Sequence, residues 1–397
     1  MTVPAHLILA AMALSPLVAG LFCSLAQAQT GWQPHEVKQG DGQGGRISRP
    51  AQIQVLRKAE GRYLMPFGLV QMDNGEVALI CTWHNGEFEQ PVIAFSRDEG
   101  ATWSEFQTIP NATGRPMNLT YLGQGNLTFL ANRRFFSSDY GRTWPESLDP
   151  QPTADGLPFE VEGNAWVDFD AQGKPLKILE IGWHYEPGKQ WPIGDATGVF
   201  RYSTDGGRTW QGEVSPPEWK FSLPYQGQPL RRGVSEGAIV RAANGWLVAA
   251  LRTDMPPHFF DGPHDDSLEG TAISISKDEG QTWSPLNILF TAGRHHANLS
   301  RLPNGDLVCV MIVRDDIQEG KLASHLRGCD AVLSYDNGLT WDLAHKFTLD
   351  EWEYLDPNYW VNGQCGHVGS VVLKDGSILT AYGHYLKGAA VLVKWKP

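Results

Sequence analysis

Three residues that can move protons stand at the same distance from a glycine in three separate segments of the sequence. Glu236, His296 and His367 each precede the glycine of a hairpin-like turn by nine residues. A carboxylate and two imidazoles held on one rim can divide the roles of general acid, general base and nucleophile between them. The shared spacing therefore predicts a catalytic centre built from equivalent positions of a repeat.

Basic and aromatic side chains follow the same turns, at the far end of the second apolar run. They are His84, Arg133, His184, Arg252, Arg314 and His384 with Tyr385. Because the second strand of a hairpin returns to the edge where the first began, we expect these side chains to surround the same rim. Arginine binds carboxylates bidentately, so an anionic ligand is favoured. Two other interpretations stay open: solvated strand ends, and a structural ion pair around the single glutamate.

The element that must position these residues is a hairpin that occurs six times. Its turn glycines are Gly75, Gly125, Gly173, Gly245, Gly305 and Gly376, each between two apolar runs. Nine residues before the first three of them stand Pro66, Pro116 and Asn164. Apolar runs on both sides of a glycine turn are typical of β-hairpins, and their repetition indicates one architectural unit used six times.

A second motif, Ser-x-Asp-x-Gly-x-Thr-Trp, occurs five times. Its copies are Ser96–Trp103, Ser137–Trp144, Ser203–Trp210, Ser276–Trp283 and Ser334–Trp341. In such a turn the aspartate accepts backbone N–H bonds, the glycine supplies a positive φ and the tryptophan packs beneath. Six hairpins and five boxes predict an all-β fold, a six-bladed β-propeller with four-stranded antiparallel blades. The two chain ends, AAVLVKWKP and AQIQVLRK, are predicted to close the last blade together.

The N-terminal segment predicts export. Residues 1–28 form an apolar run that ends in Ala26-Gln27-Ala28, the pattern of a cleavable signal peptide, so we expect a secreted or periplasmic protein. Residues 29–46 are rich in Gly and Gln and are predicted to form a flexible arm, which leaves 47–397 for the propeller. A net charge of −12 without blocks of like charge argues against a nucleic-acid partner. We also expect no membrane insertion, and a monomer.

No cofactor or metal is expected from the sequence. The cysteines after the leader, Cys81, Cys309, Cys329 and Cys365, lack metal-type spacing, and only a Cys329–Cys365 disulfide merits a test. His295 and His296 are adjacent, but neighbouring side chains of a strand point to opposite faces, so joint metal binding is not predicted.

The eight-residue motif resembles the Asp box, or BNR repeat, of the sialidase superfamily, and the resemblance covers nearly the whole mature chain. It implies a propeller in which the boxes are structural and lie away from the active site. The segment from Ser235 to Val240, with Arg252 beyond it, is similar to the sialidase segment whose glutamate polarises the catalytic tyrosine. The resemblance gives that role to Glu236, and it gives carboxylate binding to Arg252 and to Arg327, which stands shortly before the fifth box.

Other positions depart from the sialidase pattern. Leu64 stands where sialidases open their first blade with an arginine, and the loop 84–89 lacks their aspartate. His367 takes the place of the nucleophilic tyrosine. The resemblance therefore implies the scaffold more firmly than the chemistry.

Three functions follow as expectations. The first is a carbohydrate-active exo-glycosidase on a terminal or acidic sugar, in which Glu236, His367 and His296 share the catalytic roles. The second is a polysaccharide lyase on uronic-acid chains, with His367 or His296 as base and Tyr385 or Tyr382 as proton donor. The third is a non-catalytic propeller that binds sugars. In that case tryptophans such as Trp83, Trp183 and Trp360 stack on the rings.

Overall fold

The computed structural model describes residues 31–58, 61, 63–84, 86–186, 188, 195–225, 227–254, 269–318, 321–354 and 365–397. The predicted signal peptide and Trp360 lie outside the described residues. The side chain of Cys365 also lies outside them, so the Cys329–Cys365 disulfide remains to be tested.

The described chain is built almost wholly from antiparallel strands. The first fifteen are β1 (Gln33–Gly40), β2 (Arg46–Leu56), β3 (Tyr63–Gln71), β4 (Val77–His84), β5 (Glu89–Ser96), β6 (Gln107–Thr108), β7 (Met117–Gly123), β8 (Asn126–Leu130), β9 (Arg134–Ser137), β10 (Glu146–Leu148), β11 (Glu160–Val161), β12 (Trp166–Phe169), β13 (Pro175–His184), β14 (Thr197–Ser203) and β15 (Gln211–Val214). The others are β16 (Phe221–Tyr225), β17 (Gln228–Arg232), β18 (Val234–Arg241), β19 (Leu247–Thr253), β20 (Gly270–Ser276), β21 (Asn287–Phe290), β22 (Arg294–Arg301), β23 (Leu307–Val313), β24 (Asp316–Gln318), β25 (Lys321–Ser324), β26 (Leu326–Ser334), β27 (Phe347–Glu353), β28 (Cys365–Val372), β29 (Ile378–His384) and β30 (Ala389–Trp395).

In the described part of the chain, two short 3-10 helices, Pro217–Trp219 and Tyr385–Lys387, lie between strands. Among the described residues, no helix has the length and apolar character needed to span a bilayer.

The strands form six four-stranded blades. The first four are β3-β4-β5-β6, β7-β8-β9-β10, β12-β13-β14-β15 and β18-β19-β20-β21, and the last two are β22-β23-β26-β27 and β28-β29-β30-β2. The first strand of each blade contacts the first strand of the next, from β3 round to β28 and back to β3. This closed ring confirms the predicted six-bladed antiparallel propeller.

The chain ends close the ring as predicted, but the N-terminal arm differs from its prediction. Strand β30 pairs with β2 from Gln52↔Lys394 to Leu56↔Ala390, so both ends of the chain complete blade 6. The flexible arm predicted for residues 29–46 must be corrected over β1, which pairs along its whole length with β2 and through Lys38 and Gln39 with β27. The Gly- and Gln-rich composition led to a wrong prediction for β1, because backbone hydrogen bonds to two open sheet edges hold this strand whatever its side chains.

The five Asp boxes form the turns that their residue types predict. In each box the aspartate accepts a hydrogen bond from the threonine backbone N–H at 2.8–2.9 Å. The serine hydroxyl accepts one from the glycine N–H at 2.7–2.9 Å. Because successive strands of a blade alternate in direction, the boxes lie at the same end as the hairpin glycines. The starts of the first strands lie at the opposite end.

The apolar core lies between adjacent blades rather than on the central axis. Ala238 and Val248 of blade 4, for example, pack with Leu307 and Met311 of blade 5. Each blade thus buries both of its faces against its neighbours. Only side chains that depart from the regular alternation of the strands can point toward the central axis.

Candidate functional site

The first strands of blades 1, 4, 5 and 6 are interrupted by a β-bulge near their start, and that of blade 2 has a further bulge between Met117 and Thr120. The pairing register shifts between Pro66 and Gly68, Ser235 and Gly237, His295 and Asn298, and Gly366 and Val368. A bulge leaves a residue outside the ladder and re-aims its side chain. By this device Phe67, Glu236, His296 and His367 line one small cavity, although the strands that carry them are packed between blades.

Two of the bulged residues hold a backbone conformation that side-chain-bearing residues rarely adopt. The φ angle is 51° at His296 and 36° at His367. Such a conformation costs on the order of 1–3 kcal/mol and persists only where the surroundings enforce it. These two backbone conformations therefore lower the stability of the fold, and they direct both imidazole rings into the cavity.

Blade 3 contributes Glu162 from the segment between β11 and β12. The next residue, Gly163, has a φ of 98°, and a Cβ atom there would lie 2.7 Å from the carbonyl oxygen of Gly237. Only glycine permits this close approach to blade 4, and it brings Glu162 beside Glu236. The register residue Asn164 has a structural role instead, since its side chain bonds to backbone atoms of Ile239 and Leu299 at 2.8–3.2 Å.

Glu162, Glu236, His296 and His367 form what we call the central cluster. Nδ1 of His296 contacts Oε1 of Glu162 and lies 2.8 Å from Oε2 of Glu236. Nδ1 of His367 contacts the same Oε1 of Glu162. The four side chains are between 5% and 12% exposed, so they meet at a nearly buried point of the cavity.

Two arginines lie behind the central cluster. Arg252 contacts Oε1 of Glu236 through Nη1 and reaches Oε1 of Glu269 at 2.7 Å through Nη2. Arg314 places Nη2 at 3.0 Å from Nε2 of His296. Arg252 is therefore engaged with acidic partners, and Arg314 fixes the orientation of the His296 ring.

The surroundings act on the two imidazoles in opposite directions. Burial lowers the pKa of His367 to about 4, although Glu162 opposes this shift. Burial also acts on His296, but there the carboxylates of Glu162 and Glu236 prevail and raise the pKa of the ring. The same histidines hold the pKa of Glu162 well below its usual range, against the effect of burial. Pairs of groups with pKa values pushed apart are typical of acid/base centres.

Three other residues predicted to bind substrate contact groups outside the central cluster. Arg327 pairs with buried Asp315 at 2.8 Å and lines a cleft between β1 and blade 5. Arg133 bonds Ser147 and pairs with Asp149 in blade 2. The buried His384 stacks on Trp352 with ring centroids 3.9 Å apart. None of these recorded contacts involves the central cluster.

Two further predicted residues form an aromatic rim over blades 1 and 6. His84 stacks on Tyr63 at 4.8 Å, and Tyr385 meets the same ring edge-on at 5.5 Å. The Tyr385 ring also packs on Gly366, where an added Cβ would lie 2.8 Å from it. Tyr385 is thus next to His367 in space.

The argument that adjacent histidines point to opposite faces fails at His295 and His296. Their rings stack with centroids 4.4 Å apart. The positive φ of His296 within the bulge breaks the strand alternation and brings both rings to one side.

Sequence reasoning missed Glu162 and Arg115. The Glu162-Gly163 dipeptide does not mark the position, because Glu-Gly occurs seven times in the sequence. The side chain of Arg115 is half exposed and places Nε 3.3 Å from Glu89. Against the effect of burial, the carboxylates of Glu89 and Glu162 raise the pKa of Arg115. No repeat pattern marks Arg115.

Comparisons with known proteins agree with this architecture. The family model of the BNR/Asp-box repeat matches residues 201–211, which hold the third box. No curated protein sequence matches the chain.

Several solved structures are similar in fold. A protein of unknown function from Dyadobacter fermentans has a TM-score of 0.59 at 18% identity, over 87% of this chain and 98% of that one. A Hadza microbial sialidase has a TM-score of 0.58 at 14% identity, over 88% and 70%. A GH93 α-L-arabinofuranosidase of Fusarium graminearum has a TM-score of 0.50 at 12% identity, over 86% and 96%. The chain thus has the fold of the sialidase-like Asp-box propellers.

Proposed function

We propose that this protein is a glycoside hydrolase that cleaves a sugar bound over the central cluster. The observation that carries the proposal is the convergence of two carboxylates, Glu162 and Glu236, on one nitrogen of His296. Since both oxygens are within hydrogen-bond reach of a single atom, they are at most about 6 Å apart. Retaining glycosidases separate their carboxyl groups by about 5–5.5 Å and inverting ones by about 6.5–9.5 Å, so a retaining reaction is favoured.

Glu236 is the carboxylate best placed to react. Arg252 holds one of its oxygens, and the other faces the cavity beside His296. This arrangement suits a nucleophile that attacks the anomeric carbon, while His296, which Glu162 helps to keep protonated, donates its proton to the leaving oxygen. The sialidase and the arabinofuranosidase of similar fold give support by likeness of architecture alone.

An acidic sugar is the proposed substrate class. The sequence assigned carboxylate binding to Arg252 and Arg327, but both are buried beside acidic side chains. Arg115 is half exposed beside Glu89, and its planar fork can bind a carboxylate. We assign the recognition of the acid group to Arg115.

One observation favours a lyase as second candidate. Tyr385 packs on Gly366, next to His367. In a uronate chain, His367 would take the C5 proton, the electron pair would form the C4–C5 double bond, and Tyr385 would protonate the leaving O4. The product would be an unsaturated uronate.

A substrate screen tests the proposed function. The purified protein is incubated with sialosides, aryl glycosides including arabinofuranosides, and uronate polysaccharides, and both reducing ends and ultraviolet absorbance are followed. New reducing ends without absorbance support the hydrolase, and absorbance from an unsaturated uronate supports the lyase. Binding measured by calorimetry without turnover would contradict both and favour a sugar-binding propeller.

We propose that the enzyme works outside the cytoplasm. Residues 1–28 carry the sequence pattern of a cleavable signal peptide. N-terminal sequencing of the exported protein should begin after Ala28, and an intact leader on the mature protein would contradict this.

A further inference from the structure

We propose that the central cluster binds a divalent transition-metal ion of the Zn²⁺ class through Oε1 of Glu162, Nδ1 of His296 and Nδ1 of His367. The proposal deepens the proposed function, because it concerns the same site, but its argument comes from the geometry of the cluster alone. It departs from the sequence analysis, which predicts no metal.

The three donor atoms have the composition of a metal site. One oxygen and two nitrogens, each from a different blade, lie within 4.8 Å of one another. Two histidines and one glutamate are the protein ligands of a common class of catalytic zinc site, which keeps a further position open for water or substrate. The nitrogen donors argue against Ca²⁺ and Mg²⁺, which prefer ligand sets made of oxygen.

The same three atoms lack hydrogen-bond partners among the described residues. Nδ1 of His296, Nδ1 of His367 and Oε1 of Glu162 are buried, and none makes a hydrogen bond of acceptable geometry. They contact one another as ion pairs. His296 and His367 are only 7% and 6% exposed, so water has little access to repair the defect. Each unsatisfied buried group costs about 1–3 kcal/mol.

A cation at the common point removes this cost. The two nitrogen donors and the carboxylate oxygen lie within 4.8 Å of one another, so all three can bind an ion placed between them. Oε2 of Glu236 is a fourth buried atom without a hydrogen bond, and it faces the same space. Two carboxylates thus border the site, which favours a positive charge there.

The surroundings hold the ligands in place. Phe67 packs on the His367 ring with centroids 4.0 Å apart, and Arg314 holds the far nitrogen of His296. Arg314 lies beside Nε2 of His296, which leaves Nδ1 for the ion, and the ion must displace any proton on Nδ1 when it binds. Contacts that orient ligands in this way typically change metal affinity by about 10–100-fold.

A bound ion would change which groups carry out the steps of the reaction. It can polarise a sugar oxygen or lower the pKa of a bound water. Glu162 would then act as a ligand, and Glu236 would remain as the reacting carboxylate beside the ion.

Metal analysis of the untagged full chain tests the proposal. The protein is saturated with ZnCl₂, desalted and analysed by inductively coupled plasma mass spectrometry, with MgCl₂ and CaCl₂ in parallel. We expect about one Zn²⁺ per chain and neither of the other ions. The variants H296A and H367A should lose the ion, whereas the control H345A should keep it, because His345 is an exposed histidine paired with Asp342.

Several results would overturn the inference. Wild-type protein that is folded by circular dichroism but keeps no Zn²⁺ contradicts it, and so does equal retention in wild type, H296A and H367A. If the alanine variants do not fold, the wild type loaded with Co²⁺ decides the question. It should show visible d–d absorption of a nitrogen and oxygen site, and this absorption should be lost in E162Q.

The outcome is independent of the proposed function. Metal content is measured without any glycan. A metal-free protein that hydrolyses a glycoside disproves the ion and keeps the hydrolase. A protein that binds the metal ion but turns over no glycoside disproves the hydrolase and keeps the ion.

Discussion

Two clusters of buried charge occupy different regions of this propeller, and they are built in different ways. Between blades 2 and 3, fully buried Glu180 accepts hydrogen bonds from Arg134 at 2.7 Å, Arg201 at 2.9 Å and Asn118 at 3.2 Å. In the central cluster, buried atoms of Glu162 and of both histidines have no such bonds among the described residues. The Glu180 cluster packs on Phe159 and Trp210, whereas the central cluster borders a cavity.

The difference separates structural from functional charge. A buried carboxylate whose acceptors are all used serves the fold, because its removal leaves its partners unsatisfied. A cluster with unsatisfied atoms and a positive φ at two histidines loses stability that only a ligand or a reaction can explain. Matched substitutions in the two regions test whether the Glu180 cluster is structural and the central cluster functional.

The largest expected effect is on catalysis, at Glu236. Glu236→Gln keeps the shape of the side chain but removes the reacting charge, so kcat should fall by roughly 10²–10⁴-fold. The melting temperature should change little, because Arg252 keeps Glu269 as an acidic partner. Steady-state kinetics and thermal unfolding check both. A variant with wild-type kcat would place Glu236 among the structural charges.

The matched substitution in the other cluster should act on stability. Glu180→Gln leaves Arg134 and Arg201 without a counter-charge in the core, which should cost about 3–5 kcal/mol in the free energy of unfolding. The activity of the folded fraction should stay near that of wild type. Urea unfolding with activity normalised to folded protein measures this. Loss of activity without loss of stability would contradict the assignment.

The sequence pattern selected residues of the cavity only in blades 4, 5 and 6. There the nine-residue spacing selected Glu236, His296 and His367, and the structure brings all three into one cavity. The fold itself followed from the hairpins and Asp boxes, because turn chemistry is local and can be recognised from a few residues.

The spacing failed in the other blades for physical reasons. Glu162 precedes its turn glycine by eleven residues, since it lies in the segment before β12 rather than in the strand. In blade 2 the equivalent bulge carries Asn118, which turns to Glu180 instead of the axis. Bulges and entry segments change the count without leaving a periodic signal, so a fixed spacing could not find these positions.

A smaller effect is expected on substrate affinity, at Arg115. Arg115→Lys keeps the charge but loses the planar fork, so KM for a sugar with a carboxylate should rise by about tenfold. KM for a neutral aryl glycoside should not change. The matched control is Arg133→Lys, because Arg133 pairs with Asp149 away from the cavity. Equal effects of the two substitutions on the acidic substrate would remove Arg115 from the site.

The smallest effect is expected at the opposite end of the blades, in the third Asp box. Asp205 accepts hydrogen bonds from the backbone of Arg208 at 3.1 Å and of Thr209 at 2.9 Å, and from the Thr209 hydroxyl at 2.6 Å. Asp205→Asn removes the charge that strengthens these bonds and should cost about 1–2 kcal/mol of stability at pH 7. Activity per folded molecule should be unchanged, since the box lies far from the central cluster along the blade.

The lowered pKa of Asp205 decides how the stability difference between wild type and Asp205→Asn changes with pH. Burial raises the pKa of Asp205, but the hydrogen bonds from Thr209 and Ser203 outweigh it, so the pKa in the folded protein is lowered. A carboxyl group with a lowered folded pKa contributes stability above its unfolded pKa of about 3.9 and loses it as the pH falls through the folded value. The stability difference between wild type and Asp205→Asn should therefore be constant from pH 7 to about 5 and shrink below about 4. Urea unfolding at these pH values measures it, and a difference that grows on acidification would show that the Asp205 carboxylate does not stabilise the turn.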